Sequence, residues 1–203
     1  MDGQTERTRL RGRPRAVQPE MALDTAMCAF WADGYDAVSI DRLCRETGMT
    51  RSSLYQDYGG KEGLFLAAIA HYVRTRIVLL SNALGPKGTL EADLRAFFDA
   101  VLDLATFHPA MPGCLISCVL AEVAGGNKTF REELDRRFSA LEGRIVRRLD
   151  MADGPAPGDK AALAGMLAAV ARGITLRARS GAERATLEPI VEIAVHSALC
   201  PLR

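Results

Sequence analysis

The chain of 203 residues has no long uninterrupted apolar run. Its longest stretch without a charged side chain, Leu104 to Ala121, is broken by Pro109, Pro112 and Gly113, and makes a poor membrane span. The arginine-rich N-terminus is followed by no apolar core and no small-residue cleavage site, so no secretory signal is expected. Cysteine is sparse and odd in number, at 28, 44, 114, 118 and 200, which excludes a disulfide-stapled miniprotein and points to reduced thiols in a cytoplasm. Excess charge is also lacking: 26 Lys and Arg against 25 Asp and Glu leave a net +1. A surface that grips nucleic acid over its whole area is therefore excluded, and any polyanion contact must be local. There is no strand pattern, no internal repeat, no Gly-rich phosphate loop, no serine nucleophile elbow and no carboxylate motif for metal chemistry. His71, His108 and His196 are scattered, and His108, Cys114 and Cys118 are too few and wrongly spaced for zinc. No catalytic residue, cofactor or metal site is expected.

What is present is helical and unevenly charged. From Arg7 to Arg15 every second residue is arginine, and Gly12-Arg13-Pro14 prevents a regular helix, so residues 1–16 read as a flexible basic arm. Between Val17 and Ala32 the residues Leu23, Ala26, Met27, Phe30 and Trp31 recur at helical spacing, and Gly34 supplies a stop. Ser39 then precedes the stripe Ile40, Leu43, Cys44, which closes at Gly48. Thr50 is placed to cap a third helix, Arg51 to Tyr58. Two short helices joined by a tight Gly-containing turn have the arithmetic of a helix-turn-helix.

At about 100° per residue, Leu54 of the third helix points towards the first two helices, and Ser52 and Gln56 point almost directly away. Arg51 and Tyr55 share one flank of that outer face. Such a set fits a major groove: small or hydrogen-bonding groups for base edges, a cation for phosphate. Asp57 is the odd member, since phosphate repels it unless it accepts from a cytosine amino group or pairs with an arginine.

The segment from Ala22 to Phe65 resembles the DNA-binding region of the TetR family of bacterial transcriptional regulators. Phe30, Gly34-Tyr35, Ser39-Ile40, Gly48-Met49-Thr50-Arg51, Leu54-Tyr55 and the run Tyr58-Gly59-Gly60-Lys61-Glu62-Gly63-Leu64-Phe65 carry the likeness. It covers roughly the first third of the chain. The resemblance implies that Ser39 offers its hydroxyl and nearby backbone N–H groups to a phosphate, that Arg51, Ser52, Tyr55 and Gln56 contact base edges and backbone, and that Lys61 holds a phosphate. Arg13 of the arm, Thr50, Ser53 and Tyr58 complete the expected DNA-contacting set. Asp57, Tyr58 in place of the usual phenylalanine, and Gly60 where serine is common depart from the family pattern.

Past Gly60 helices follow one another: Lys61 to Ala83, Thr89 to Phe107, Pro112 to Ala124, Asn127 to Asp150, then a Pro- and Gly-rich loop at 154–158 and two apolar helices. Ala161 to Ala171 is eleven residues without charge, apolar all round, and Leu187 to Leu199 is apolar as well. By resemblance the two form a four-helix interface with their mates in a homodimer, using Leu163, Met166, Leu167 and Val170 with Ile190, Ile193 and Ala194; the alternative is an internal core. Where the family keeps a ligand pocket, the candidates are Tyr72, Arg76, Phe97 and Val101, then Leu104, Phe107, His108 and Met111, and finally Cys114, Ser117 and Cys118. Phe98 belongs to the same region. Their apolar character with a few polar groups suits a small apolar or aromatic effector, although most also read as ordinary core. Cys114 and Cys118, at i, i+4 near an expected helix N-terminus, offer a second reading as a thiol sensor of oxidants or electrophiles.

The expected architecture is therefore all-α: the arm, a three-helix DNA-binding domain at residues 17–60, and a helical bundle at 61–203 for effector binding and dimerisation. The expected function is a regulator, by resemblance a repressor, that binds double-stranded palindromic operator DNA as a homodimer and is released by an effector, with no membrane partner. An enzyme or a protein-interaction module without DNA binding are the competing classes.

Overall fold

The computed structural model describes residues 18–152 and 159–199. The basic arm with its Arg13, the loop at 154–158 and Cys200 lie outside the described residues. The fold is all-α. The helices are α1 Pro19–Asp33, α2 Ile40–Thr47 and α3 Arg51–Tyr58, then α4 Lys61–Ala83, α5 Leu90–Thr106 and α6 Leu115–Ala124, and finally α7 Lys128–Asp150, α8 Lys160–Arg179 and α9 Arg184–Leu199.

Most helix starts follow from side chains that satisfy the first free N–H groups. The Ser39 hydroxyl accepts from Arg42 N–H and that of Thr89 from Ala92 N–H; Asn127 Oδ1 accepts from Phe130 N–H, and Asp159 Oδ1 from the N–H groups of Ala161 and Ala162. Each such cap is worth about 1 kcal/mol.

Two boundaries differ from the sequence expectation. The helix expected from Pro112 begins at Leu115, with Cys114 as its extended N-cap residue, because Gly113 adopts φ +83° and turns the chain there. A Cβ at Gly113 would lie 2.7 Å from the Thr175 carbonyl oxygen and 2.9 Å from Cys118 Sγ, so glycine lets α8 press against this turn. The last helix begins at Arg184 rather than Leu187 and runs through Pro189, with Arg184 donating to Glu188 one turn on.

α4 and α8 are by length and composition apolar enough to cross a bilayer, but only 33% and 44% of their most apolar windows are buried in the protein. α4 contains a wider, π-helical turn at Val73–Ile77, and α6 opens with another at Leu115–Leu120. Buried side chains form two cores. The first joins α1–α4 to α6 and to Phe130 of α7, with Phe30, Tyr35, Phe65 and Phe130 in mutual ring contact. The second joins α5, α7, α8 and α9 to the C-terminal end of α4. α4 thus belongs to both. Within the second core, Asp93 and Arg148 form a buried ion pair at 2.7 Å, and Asp93 also accepts from Lys87 N–H. Burial pushes the Asp93 pKa up, but the hydrogen bonds from Arg148 and the loop backbone, with the Arg148 charge, outweigh it and leave it below the ordinary value.

Candidate functional site: nucleic-acid interface and cavities

α3 is fixed by few contacts, which leaves most of its surface free. Leu54 is its one buried side chain, worth about 1.5–3 kcal/mol on burial. At its start Thr50 Oγ1 accepts from Ser53 N–H and Ser53 Oγ accepts from Thr50 N–H, a closed capping box. At its end Gly59, with φ +74°, donates its N–H to the Tyr55 carbonyl. Gly63 explains how α4 can start so close: a Cβ there would lie 1.7 Å from the Tyr58 carbonyl oxygen.

This scaffold exposes Arg51, Ser52, Tyr55, Gln56 and Asp57. Tyr55, half exposed, lays its ring against Gly60, where an added Cβ would meet it at 3.4 Å. Arg51 is held by Asp41 of α2 at 2.6 Å, an exposed pair that water screens and that a phosphate could therefore replace. Ser39 spends an acceptor lone pair on its cap and keeps its O–H, beside α2's free N–H groups. Lys61 sits over the Tyr35 ring at 4.3 Å and donates to the Asp36 carbonyl; burial lowers its pKa, against a smaller opposing effect of the Asp36 charge. Two expected contacts are placed otherwise. Ser53 is half-buried with its hydroxyl in the capping box, and the Tyr58 ring packs on the first core, because each lies on the inward side of α3. Thr50 is exposed but likewise engaged in the cap. Asp57 has no ion-pair partner among the described residues, so no arginine neutralises it there.

The eleven expected effector residues do not form one pocket. Phe97, Val101, Leu104, Cys114 and Ser117 line an inner cavity of about 70 Å³, closed on its other side by Phe138 and Leu141 of α7 and by Arg172 and Thr175 of α8. Arg76, Leu104, Phe107, His108 and Met111 line a different and larger cleft of about 240 Å³, whose facing wall is Met27, Cys28 and Trp31 of α1. Phe107, 77% exposed, stands at the mouth of that cleft rather than inside a pocket. Tyr72 lines neither: it is fully buried, stands edge-on to Trp31 and donates its hydroxyl to Cys114 Sγ. Cys118 also lines neither. Its thiol reaches towards the Thr175 carbonyl, and burial raises its pKa more than the backbone contact with Cys114 lowers it. Phe98 is core, packed on Phe97.

The expected interface residues also divide. Leu163, Leu167 and Ala194 are buried within the chain, because α5 and α7 pack on the faces of α8 and α9 that carry them; this corrects their assignment to a partner surface. Val170 is half-buried. Met166 and Leu176 on α8, and Ile190 and Ile193 on α9, remain exposed, Ile193 by 70%. Sequence reasoning missed three things. Trp31 forms a cleft wall, Arg172 stacks on Phe138 at 3.9 Å beside the inner cavity, and Arg179 donates to the Trp31 carbonyl at 2.7 Å, tying α8 to the end of α1. These partners are far apart in sequence, and no spacing signals them.

Residues 22–68 match the family model described as bacterial regulatory proteins, tetR family. The chain is 29% identical over 189 residues to the HTH-type transcriptional repressor ComR of Escherichia coli (strain K12), covering 91% of this chain and 89% of that protein. A second repressor from the same organism, BdcR, is 37% identical over 79 residues, 39% of this chain and 40% of its own. Among solved structures, a cysteine-substituted mutant of the TetR family regulator CifR in complex with a 26-base-pair operator duplex superposes with a TM-score of 0.81 at 26% identity, covering 92% of this chain and 99% of that one. The exposed polar face of a capped helix-turn-helix and these likenesses identify residues 22–68 as a TetR-type DNA-binding region, and make the chain as a whole similar to TetR-family DNA-binding transcriptional regulators.

Proposed function

We propose that the chain is a repressor that binds a palindromic operator as a homodimer and lets go when a small apolar or aromatic molecule occupies the helical body. In this reading residues 1–60 meet DNA and residues 61–203 hold the effector and the dimer interface, and the protein works in the cytoplasm. The observation that carries it is the outer face of α3, where Ser52, Tyr55 and Gln56 are exposed beside Arg51 while Leu54 is buried on the opposite side. One such helix meets only a few base pairs, so two copies related by a two-fold axis are needed for a specific site. The exposed apolar residues of α8 and α9 supply a surface for that second copy. The names of two relatives as repressors, and the operator complex of CifR, agree with the reading.

Mechanically, the effector favours a dimer state in which α4, shared by both cores, holds the recognition helices out of register with successive major grooves. By linkage, DNA must weaken effector binding by the same factor. A gel shift with the DNA upstream of this chain's own gene, repeated at rising salt, tests the proposal. Binding should weaken as salt rises, and no complex with any duplex would refute it.

Thiol sensing is the lesser reading. In its favour, the Cys114 thiol borders the inner cavity and accepts a hydrogen bond from Tyr72. Against it, Cys114 is only 5% exposed and burial holds Cys118 in its neutral form.

A further inference from the structure

The larger cleft lies between α1, which carries the DNA-binding module, and α4 and α5 of the body. Its lining is mainly apolar: Met27 on one side, Leu80, Ala100 and Leu104 opposite, Met111 closing the end. Trp31 contributes part of its ring, with 4% of the residue exposed and its indole Nε1–H sealed from solvent. One polar group on the walls is unmatched. Arg76 sits half-buried on the π-helical turn of α4, and its side chain joins no ion pair or hydrogen bond among the described residues. π-turns of this kind recur at functional sites.

The other polar groups of the cleft are accounted for. The Asp103 carboxylate is committed to Arg184, and His108 Nδ1 accepts from Ala110 N–H. Burial, reinforced by the charge of Asp24, pushes the Cys28 thiol up, so it stays neutral despite the opposing effect of Arg76. What remains unmatched inside the cleft is one cation, Arg76. A half-desolvated guanidinium matches the planar, two-oxygen geometry of a carboxylate.

We propose that this junction cleft binds a small organic acid, with its ring or short alkyl chain among Met27, the Trp31 ring, Leu104 and Met111 and its carboxylate on the Arg76 guanidinium. The size is suitable: a dry cavity of about 150 Å³ holds benzene, and about 240 Å³ leaves room for a ring with a short acid tail. Position gives the ligand leverage, because the Trp31 carbonyl is also the acceptor through which Arg179 of α8 grips the end of α1. A molecule seated on Trp31 therefore acts on the joint between the DNA-binding module and the body. That consequence rests on the effector-responsive reading above, whereas the binding itself does not.

Trp31 is the sole tryptophan, so its fluorescence reports the cleft directly. The full chain is titrated with 3-phenylpropionate and with the isosteric alcohol 3-phenylpropanol, by fluorescence and by calorimetry, and Arg76→Gln is titrated in the same way. A saturable response to the acid, at least ten-fold tighter than to the alcohol and reduced to parity in Arg76→Gln, is the expected result. No saturable acid binding by either method, or an equal preference for the alcohol, overturns the proposal; these two outcomes are read on the unmodified protein and do not depend on the variant's folding. An acid preference that survives in a folded Arg76→Gln overturns the carboxylate site as assigned. An operator gel shift run alongside separates the two readings. Acid binding that leaves the DNA complex intact upholds the cleft and refutes its regulatory consequence. Release of DNA by a compound that competes with no acid at Trp31 upholds effector control and refutes the cleft as its seat.

Discussion

At the scale of single residues, groups that look alike in sequence have different jobs. Gln56 and Lys61 are five residues apart. Gln56 is exposed on the outer face of α3, where its amide would meet base edges, whereas Lys61 is held at the module's flank by the Tyr35 ring and the Asp36 carbonyl. Gln56→Ala should therefore change preference among related operators, with about 1–3 kcal/mol lost at the base pair it reads. Lys61→Ala should weaken all duplexes alike and reduce the salt slope by about one. Quantitative gel shifts over an operator panel at several salt concentrations distinguish them, and identical behaviour would contradict the assignment.

Asp93 poses a different residue-scale question, because its role is in stability. Its pKa lies below the ordinary value in the fold, so the stability it contributes is fully present above the unfolded value near about pH 4 and is lost as pH falls through the folded value. Asp93→Asn leaves the Arg148 guanidinium buried without its counter-charge, which should cost about 3–5 kcal/mol at neutral pH. Thermal melts from neutral to acid pH check both parts. The wild-type protein should lose its margin over Asp93→Asn as the acid range is entered.

At the scale of elements, the helices of the DNA-binding module were legible because local chemistry decides them. Ser39 and Thr50 cap, Gly48 and Gly59 stop, and Leu54 marks the inner face. The start of α6 was not legible, since a proline at 112 reads as a first-turn residue, yet the chain turns at Gly113 to admit α8, some sixty positions away in sequence. The effector region failed for a related reason. Residues with the right character between 72 and 118 are shared between two cavities and a core, and which goes where depends on α1, α7 and α8. Gly63 tests how tightly one such approach constrains function. Gly63→Ala would drive a methyl into the Tyr58 carbonyl, and backbone cannot yield as a side-chain tip does. The variant should melt at lower temperature and lose operator affinity beyond what its unfolded fraction explains, since α3 must move relative to α4. Circular dichroism melts beside gel shifts at a temperature where the variant is folded would measure both, and normal affinity in the folded variant would show that α3 tolerates the shift.

At the scale of the whole molecule, the apolar excess of α8 and α9 read from sequence as a surface needing a partner, but the chain itself covers much of it. Leu163, Leu167 and Ala194 are closed off by α5 and α7. What is left is narrower: Met166 and Leu176 are exposed on α8, Ile190 and Ile193 are exposed one turn apart on α9, and the two helices pack against each other. This narrower face makes the dimer proposal easier to test, because a side chain can be changed there without opening the core. Ile193 is 70% exposed, so a polar replacement should leave the protomer's melting nearly unchanged, within about 0.5 kcal/mol. Placed across a two-fold interface, however, the same replacement brings two carboxylates towards each other in a desolvated patch. Ile193→Asp should shift the protein from dimer to monomer in sedimentation velocity and reduce operator affinity steeply, because each protomer would then pay separately for its half-site. A variant that sediments as a dimer and binds its operator normally would remove α9 from the interface and require the second copy to dock elsewhere.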